Sequence, residues 1–127
     1  MSIAEDFGLG KIITAAVTES AEAAGFAAHK SFEGVSLKLL VSGEKTGNAL
    51  SLHLVRVEPD CALDSHTHPD NLEIHEVISG EGIAEIGTNT GEYRSGTVGV
   101  IPQGTVHKVT AGESGLYMLA VFSPALA

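Results

Sequence analysis

Between His66 and His75 the chain places three of its six histidines, with the carboxylate of Glu73 among them. Neutral imidazoles and a carboxylate gathered this closely are a donor set for a divalent ion. In an extended strand residues i and i+2 point the same way, about 6.6–7 Å apart along the chain. His66 and His68 therefore face one side and can converge on one ion at roughly 2.1 Å from each nitrogen. Thr67 points away. Pro69, Asp70 and Asn71 make a turn that brings the chain back, so that Glu73 can enter from the neighbouring strand. A fourth ligand has to come from elsewhere, and the natural candidate is His107 in "PQGTVHKV", where Pro102 and Gly104 form a tight turn that feeds a new strand.

Other residues attach to this set less directly. His75 lies two residues beyond Glu73 on the same face. Two roles are open to it: a wall or orienting histidine behind a ligand, or, as the candidate catalytic residue, the acid/base that moves a proton. Glu76 falls on the opposite face, outside. His29 and His53 have no spacing partner and read as structural or surface residues. Cys61 reads as a buried thiol, and Tyr93 and Tyr117 as core or interface. Arg56 continues the face of Leu50, Leu52 and Leu54; if that face lines the interior, Arg56 could clamp a carboxylate.

The elements that must position these groups are strands. "VSLKLLV", "ALSLHLVRV", "LEIHEVI", "GIAEIG", "EYR", "TVGVI", "VHKVT" and "GLYMLAVF" follow one another, separated by "SGEKTGN", "SGEG", "TNTG", "SG", "PQG" and "AGES". Short strands at regular spacing with glycine-bearing turns predict an antiparallel sandwich or barrel, an all-β protein. The first 30 residues differ. "IITAAVTESAEAAG" (Ile12 to Gly25) is Ala-rich with a closing glycine and predicts a helix, although Ile12, Ile13 and Val17 would equally start an edge strand.

Composition bounds the rest. The chain has 127 residues, enough for one domain with an ordinary core, and a formal charge of −9. That charge argues against nucleic acid or an anionic membrane as partner, since either needs clustered Lys and Arg. A single cysteine excludes an internal disulfide framework. With no basic region ahead of an apolar stretch at the N-terminus and no run long enough for a membrane helix, a cytoplasmic location is expected.

The two histidine stretches resemble the paired motifs of the cupin superfamily. His66, His68, Glu73 and Gly80 match HxH-x4-E-x6-G, and Gly96, Pro102, Gly104 and His107 match G-x5-P-x-G-x2-H. The departures are Asp60 where a glycine usually opens the first motif, Ala111 where an asparagine closes the second, and Thr97 where an acidic residue often stands. All three are turn or rim positions. The resemblance implies a double-stranded β-helix, or jelly-roll barrel, over residues 33–127, preceded by an extension over residues 1–32. It implies that His66, His68, Glu73 and His107 hold one divalent first-row ion per chain (Mn, Fe, Ni, Co or Zn).

Such an ion would suit a metal-dependent enzyme acting on a small oxygenated carboxylate or sugar acid, with isomerase or lyase chemistry and His75 moving the proton. A metal-dependent dioxygenase or oxidase is the alternative and calls for a largely apolar pocket. A non-enzymatic small-molecule binder is the third reading. The apolar "LYMLAVF" strand and the outward Ile74 and Ile78 predict a homodimer.

Overall fold

The computed structural model describes residues 2–127. The chain opens with helix α1 (Ile3–Leu9), fixed by a capping box in which Ser2 Oγ accepts from Glu5 N–H and the Glu5 carboxylate accepts from Ser2 N–H. Two turns of helix do not stand alone in water. Lys38, buried beneath α1, donates from Nζ to the Gly8 carbonyl at 2.8 Å and tethers it.

The stretch from Ile12 to Gly25 is not the expected helix. It begins within a hairpin of β1 (Lys11–Ile13) and β2 (Thr18–Ser20), followed by a single 3-10 turn over Ala21–Ala23. The reason is local chemistry: Thr14 Oγ1 accepts from the N–H groups of Ala16 and Val17, closing a turn where a helix would need those donors. The alanines that remain support only one turn.

Strand β3 (Ala27–Ala28) then pairs antiparallel with β4 (Val35–Val41) and joins the N-terminal segment to the main sheet. There follow β5 (Ser51–Val57), β6 (Ala62–His66), β7 (Leu72–Ile86), β8 (Asn89–Arg94), β9 (Val98–Ile101) and β10 (His107–Ser123). The pairing order is β3-β4-β5-β10-β7-β8, with β6 on β10 and β9 on β7, and every pairing is antiparallel. This is a small jelly roll whose long strands β7 and β10 pair along nearly their whole length. Among the described residues no helix is long and apolar enough to cross a membrane.

The expected turns "SGEG" and "AGES" are bends inside β7 and β10 rather than hairpin turns. Gly80 takes φ 83°, and a Cβ there would lie 2.1 Å from the Gly115 carbonyl oxygen. The two strands touch backbone to backbone at that point, and the register shifts between Ala111 and Leu116 to let each strand turn the corner together. Asp60, standing where a glycine was expected, keeps the loop's left-handed conformation with φ 62°. Aspartate is one of the few residues that tolerates this.

Alternation along the strands sorts side chains into two apolar clusters. Val55, Val57, Val77, Val109, Met118 and Phe122 fill the barrel. Leu40, Leu54 and Leu119 lie on the outer face, where the N-terminal segment covers them with Ala21, Ile12 and Phe26. The face of Leu52, Leu54 and Arg56 is therefore the outer one. Arg56 does not reach the interior: its guanidinium lies 4.3 Å from the Phe26 ring centre, and its Nε donates to Ser36 Oγ at 3.1 Å. The strand "LYMLAVF" divides likewise, with Leu116, Met118, Ala120 and Phe122 inward and Tyr117 and Leu119 beneath the N-terminal segment. Burial of each such side chain contributes roughly 1.5–3 kcal/mol. Much of the apolar surface that predicted association is thus covered by the chain itself.

Candidate metal centre

Three strand segments deliver the donors. Inward positions on β7 are Glu73, His75 and Val77; on β10 they are His107, Val109 and Ala111. On β6, Leu63 and His66 are both turned toward the interior side although three residues apart, because the β6–β10 register shifts between His107 and Val109. The shift sets His66 directly across from His107, with ring centres 4.1 Å apart. His68 follows just past β6, held where its carbonyl accepts from Gly104 N–H at 3.0 Å. That bond joins the HxH stretch to the turn that carries His107.

The four residues expected as ligands, His66, His68, Glu73 and His107, converge: one donor atom from each lies within 4.8 Å of all the others. Their hydrogen bonds preset them for coordination. His66 Nδ1 donates to the Asp64 carbonyl at 2.6 Å and His107 Nδ1 to the Thr105 carbonyl at 2.9 Å. Each ring then offers the lone pair of Nε2 inward.

The arrangement carries a specific deficit. Glu73 Oε1 and His107 Nε2 are 3.1 Å apart, but they are not aligned for a hydrogen bond, and both are buried without a hydrogen-bond partner. With His107 neutral, two acceptors face each other in a buried site, which is costly unless a proton on Nε2 or a cation compensates them. Two ligands in adjacent positions around an ion at about 2.1 Å would be about 3.0 Å apart. His68 Nε2 lies 3.6 Å from the same Glu73 oxygen. The residues fit a divalent cation.

Behind this set is a second layer. The other Glu73 oxygen, Oε2, is 2.8 Å from His75 Nε2, and His75 Nδ1 is 2.9 Å from the Tyr93 hydroxyl. Gly99 makes room for that contact, since a Cβ there would overlap the Tyr93 hydroxyl. Burial, then the nearby Glu73 charge, pushes the Tyr93 phenol up, so its hydroxyl keeps its proton and donates to His75. His75 Nε2–H in turn donates to Glu73. Both nitrogens of His75, which is 1% exposed, are committed.

Electrostatics follows the same pattern. Burial alone would raise Glu73, but the His107 and His75 rings outweigh it and hold the carboxyl at about 2. Burial lowers His66 and His68. His107 is also subject to burial, yet Glu73 and the Thr105 carbonyl raise it overall.

Above the donors is a cavity of about 50 Å³, walled by Leu37, Val55, Leu63, Met118, Phe122 and Leu126. His29 also lines it, a residue for which the sequence offered only a structural or surface reading. A larger hollow of about 430 Å³ lies on the outer face beside α1, and among the described residues no ligating cluster lines it. Of the remaining residues, His53 is buried on the inner side and bonds Ser51 Oγ at 3.0 Å, Cys61 is half-buried against the core, and Glu76 is exposed outside.

A small antiparallel jelly roll with three histidines and a glutamate turned into its barrel defines a cupin. The family described as "ChrR Cupin-like domain" matches residues 15–126, and the chain belongs to it. No curated protein matches the sequence. Among solved structures, KdgF from Halomonas sp. is similar at 19% identity and TM-score 0.71, over 81% of this chain and 88% of that one. A predicted oxalate decarboxylase from Thermotoga maritima is similar at 22% identity and TM-score 0.72, over 80% and 91%. An RmlC-like cupin from Shewanella frigidimarina shares 16% identity at TM-score 0.73, over 85% and 90%. At these identities the likeness is one of fold.

Proposed function

We propose that this chain is a metal-dependent enzyme that holds one divalent first-row ion on His66, His68, Glu73 and His107 and acts on a small oxygenated carboxylate. The observation that carries this reading is the buried pair Glu73 Oε1 and His107 Nε2, 3.1 Å apart without hydrogen-bond partners, beneath a cavity. When bound, the ion supplies Lewis acidity and the positive potential that a chain of formal charge −9 otherwise lacks.

The chain's own residues supply the rest. Glu73 stays ionised, Asp64 and Thr105 carbonyls orient His66 and His107, and apolar side chains form most of the cavity wall beyond the donors. A single water needs roughly 10–15 Å³ of such space. About 50 Å³ therefore suits a ligand of a few non-hydrogen atoms, which favours a small carboxylate over a whole sugar acid.

Isomerase or lyase chemistry needs a proton carrier at the ligand. His75 fits that role poorly, because its nitrogens are engaged by Glu73 and Tyr93; it fits the orienting role well. A second reading, a metal-dependent oxidase or dioxygenase, is favoured by one observation: outside the donor set, His29 and His75, the cavity walls are apolar. Assembly as a homodimer rests on Val98 and Val100 of β9, exposed by 57% and 55% beside Ile74 of β7.

The test is metal analysis of protein purified without a histidine tag or added metal, followed by small carboxylates with oxygen uptake monitored. Turnover without oxygen consumption supports the isomerase or lyase reading. Consumption supports the oxidase. Binding of a carboxylate with no turnover makes the chain a binding module.

A further inference from the structure

The N-terminal segment does more than cover the outer face. Just after β3, His29 is fixed on several sides: its N–H donates to the Val35 carbonyl at 2.8 Å, and its ring stacks on Phe32 with centres 4.5 Å apart. Phe32 in turn lies 5.3 Å from the His66 ring. His29 Nδ1 accepts from the N–H groups of Ser31 and Phe32 at 3.0 and 3.2 Å. Two donors aimed at one nitrogen make it the acceptor, so the neutral ring carries its proton on Nε2. Among the described residues Nε2 makes no hydrogen bond.

His29 is among the residues that line the cavity of about 50 Å³ over His66, His68 and Glu73. A ligand that fills so small a space touches every wall. Leu37, Phe122 and Leu126 offer such a ligand no polar contact, so a second oxygen pointing away from the donor set would be left unpaired without His29.

We propose that His29 is a ligand-binding residue whose Nε2–H donates to the second oxygen-bearing group of a small bifunctional anion, a dicarboxylate or hydroxycarboxylate, the first group being held at the metal centre. The proposal rests on the metal-centre reading above. It deepens that reading by selecting a ligand with two oxygenated ends over a simple monocarboxylate.

The test uses the full chain loaded with Co2+, with oxalate as the two-ended probe and formate as the one-ended one, titrated calorimetrically. His29→Phe keeps an aromatic ring against Phe32 and removes the donor; His29→Gln restores an N–H near the Nε2 position. The expected result is unchanged Co2+ stoichiometry in both variants. Oxalate binding should weaken about tenfold in His29→Phe, recover in part in His29→Gln, and leave formate within about twofold of the parent, a tenfold change being about 1.4 kcal/mol. Equal oxalate affinity in the parent and His29→Phe overturns the proposal. So does a parallel loss of formate affinity, or a loss of Co2+ in His29→Phe, since either would make His29 a support of the centre rather than a ligand contact. If the parent binds no Co2+, the metal-centre reading itself fails and takes this one with it; if the parent binds Co2+ and formate but not oxalate, only this one fails.

Discussion

The two faces of the sheet bury polar groups in opposite ways. On the outer face Lys38 is 5% exposed, yet its ammonium is satisfied by the Gly8 carbonyl and lies 5.2 Å from the Phe26 ring, which Arg56 also covers. The buried ammonium there has been given a partner from the chain, and the result is an anchor for α1. On the inner face His107 and Glu73 are as deeply buried, but two of their atoms are left without hydrogen-bond partners and aimed at one point. A fold that closes one buried polar cluster and leaves the other open marks the open one as a site for something it does not itself supply.

Substitutions can break this contrast. The largest effect is expected from Glu73→Ala, which removes the only carboxylate of the set. Even the groups behind a metal ligand typically account for 10–100-fold in affinity, so removing the ligand should weaken Co2+ binding by more than about 100-fold in a competition titration. Unimpaired binding would mean that Glu73 is not a ligand and that the ion sits elsewhere than between Glu73 and His107. His75→Phe comes next. An orienting role predicts Co2+ affinity lower by about 10–100-fold. Full retention of the ion with turnover reduced about 100-fold or more would instead return His75 to the role of proton carrier.

The outer cluster should respond separately. Lys38→Met removes a charged hydrogen bond to the end of α1 and should cost about 1–2 kcal/mol in denaturant unfolding, with metal stoichiometry unchanged. Loss of the ion in that variant would dissolve the distinction between the faces. The smallest separable effect is on acid stability of the metal-free protein. Glu73 sits at about 2, below its ordinary 4.5, so its contribution is present above about pH 4.5 and is given up as pH falls toward 2. Metal-free Glu73→Gln should show a flatter stability profile across that window; an unchanged slope would place the acid sensitivity elsewhere.

The convergence of the four residues was legible because their spacing is local: histidines at i and i+2 at the end of β6, a turn, and a second turn before His107. The barrel was legible from strand alternation. The bends at Gly80 and Gly115 were not, since a glycine that lets two backbones touch looks, in a single sequence, like one that opens a hairpin. The helix was sought among the alanines, while its signal was the Ser2–Glu5 capping box upstream. His29 is placed by the pairing of the two-residue β3 on β4, and the Tyr93–His75 contact by Tyr93 of β8 reaching over Gly99 of β9 to β7, and neither pairing shows in a local pattern. Arg56 turned on which face of β5 points inward, and alternation alone does not choose.

The most direct test of the central claim is metal content at neutral pH in protein purified without tag or added metal, repeated after dialysis at pH 5 and on His68→Ala. The account predicts about one first-row divalent ion per chain, lost at pH 5 as protons compete for the histidine nitrogens, and absent from His68→Ala. Parent protein that is empty and takes up no Co2+, or His68→Ala that keeps a full complement, would contradict it.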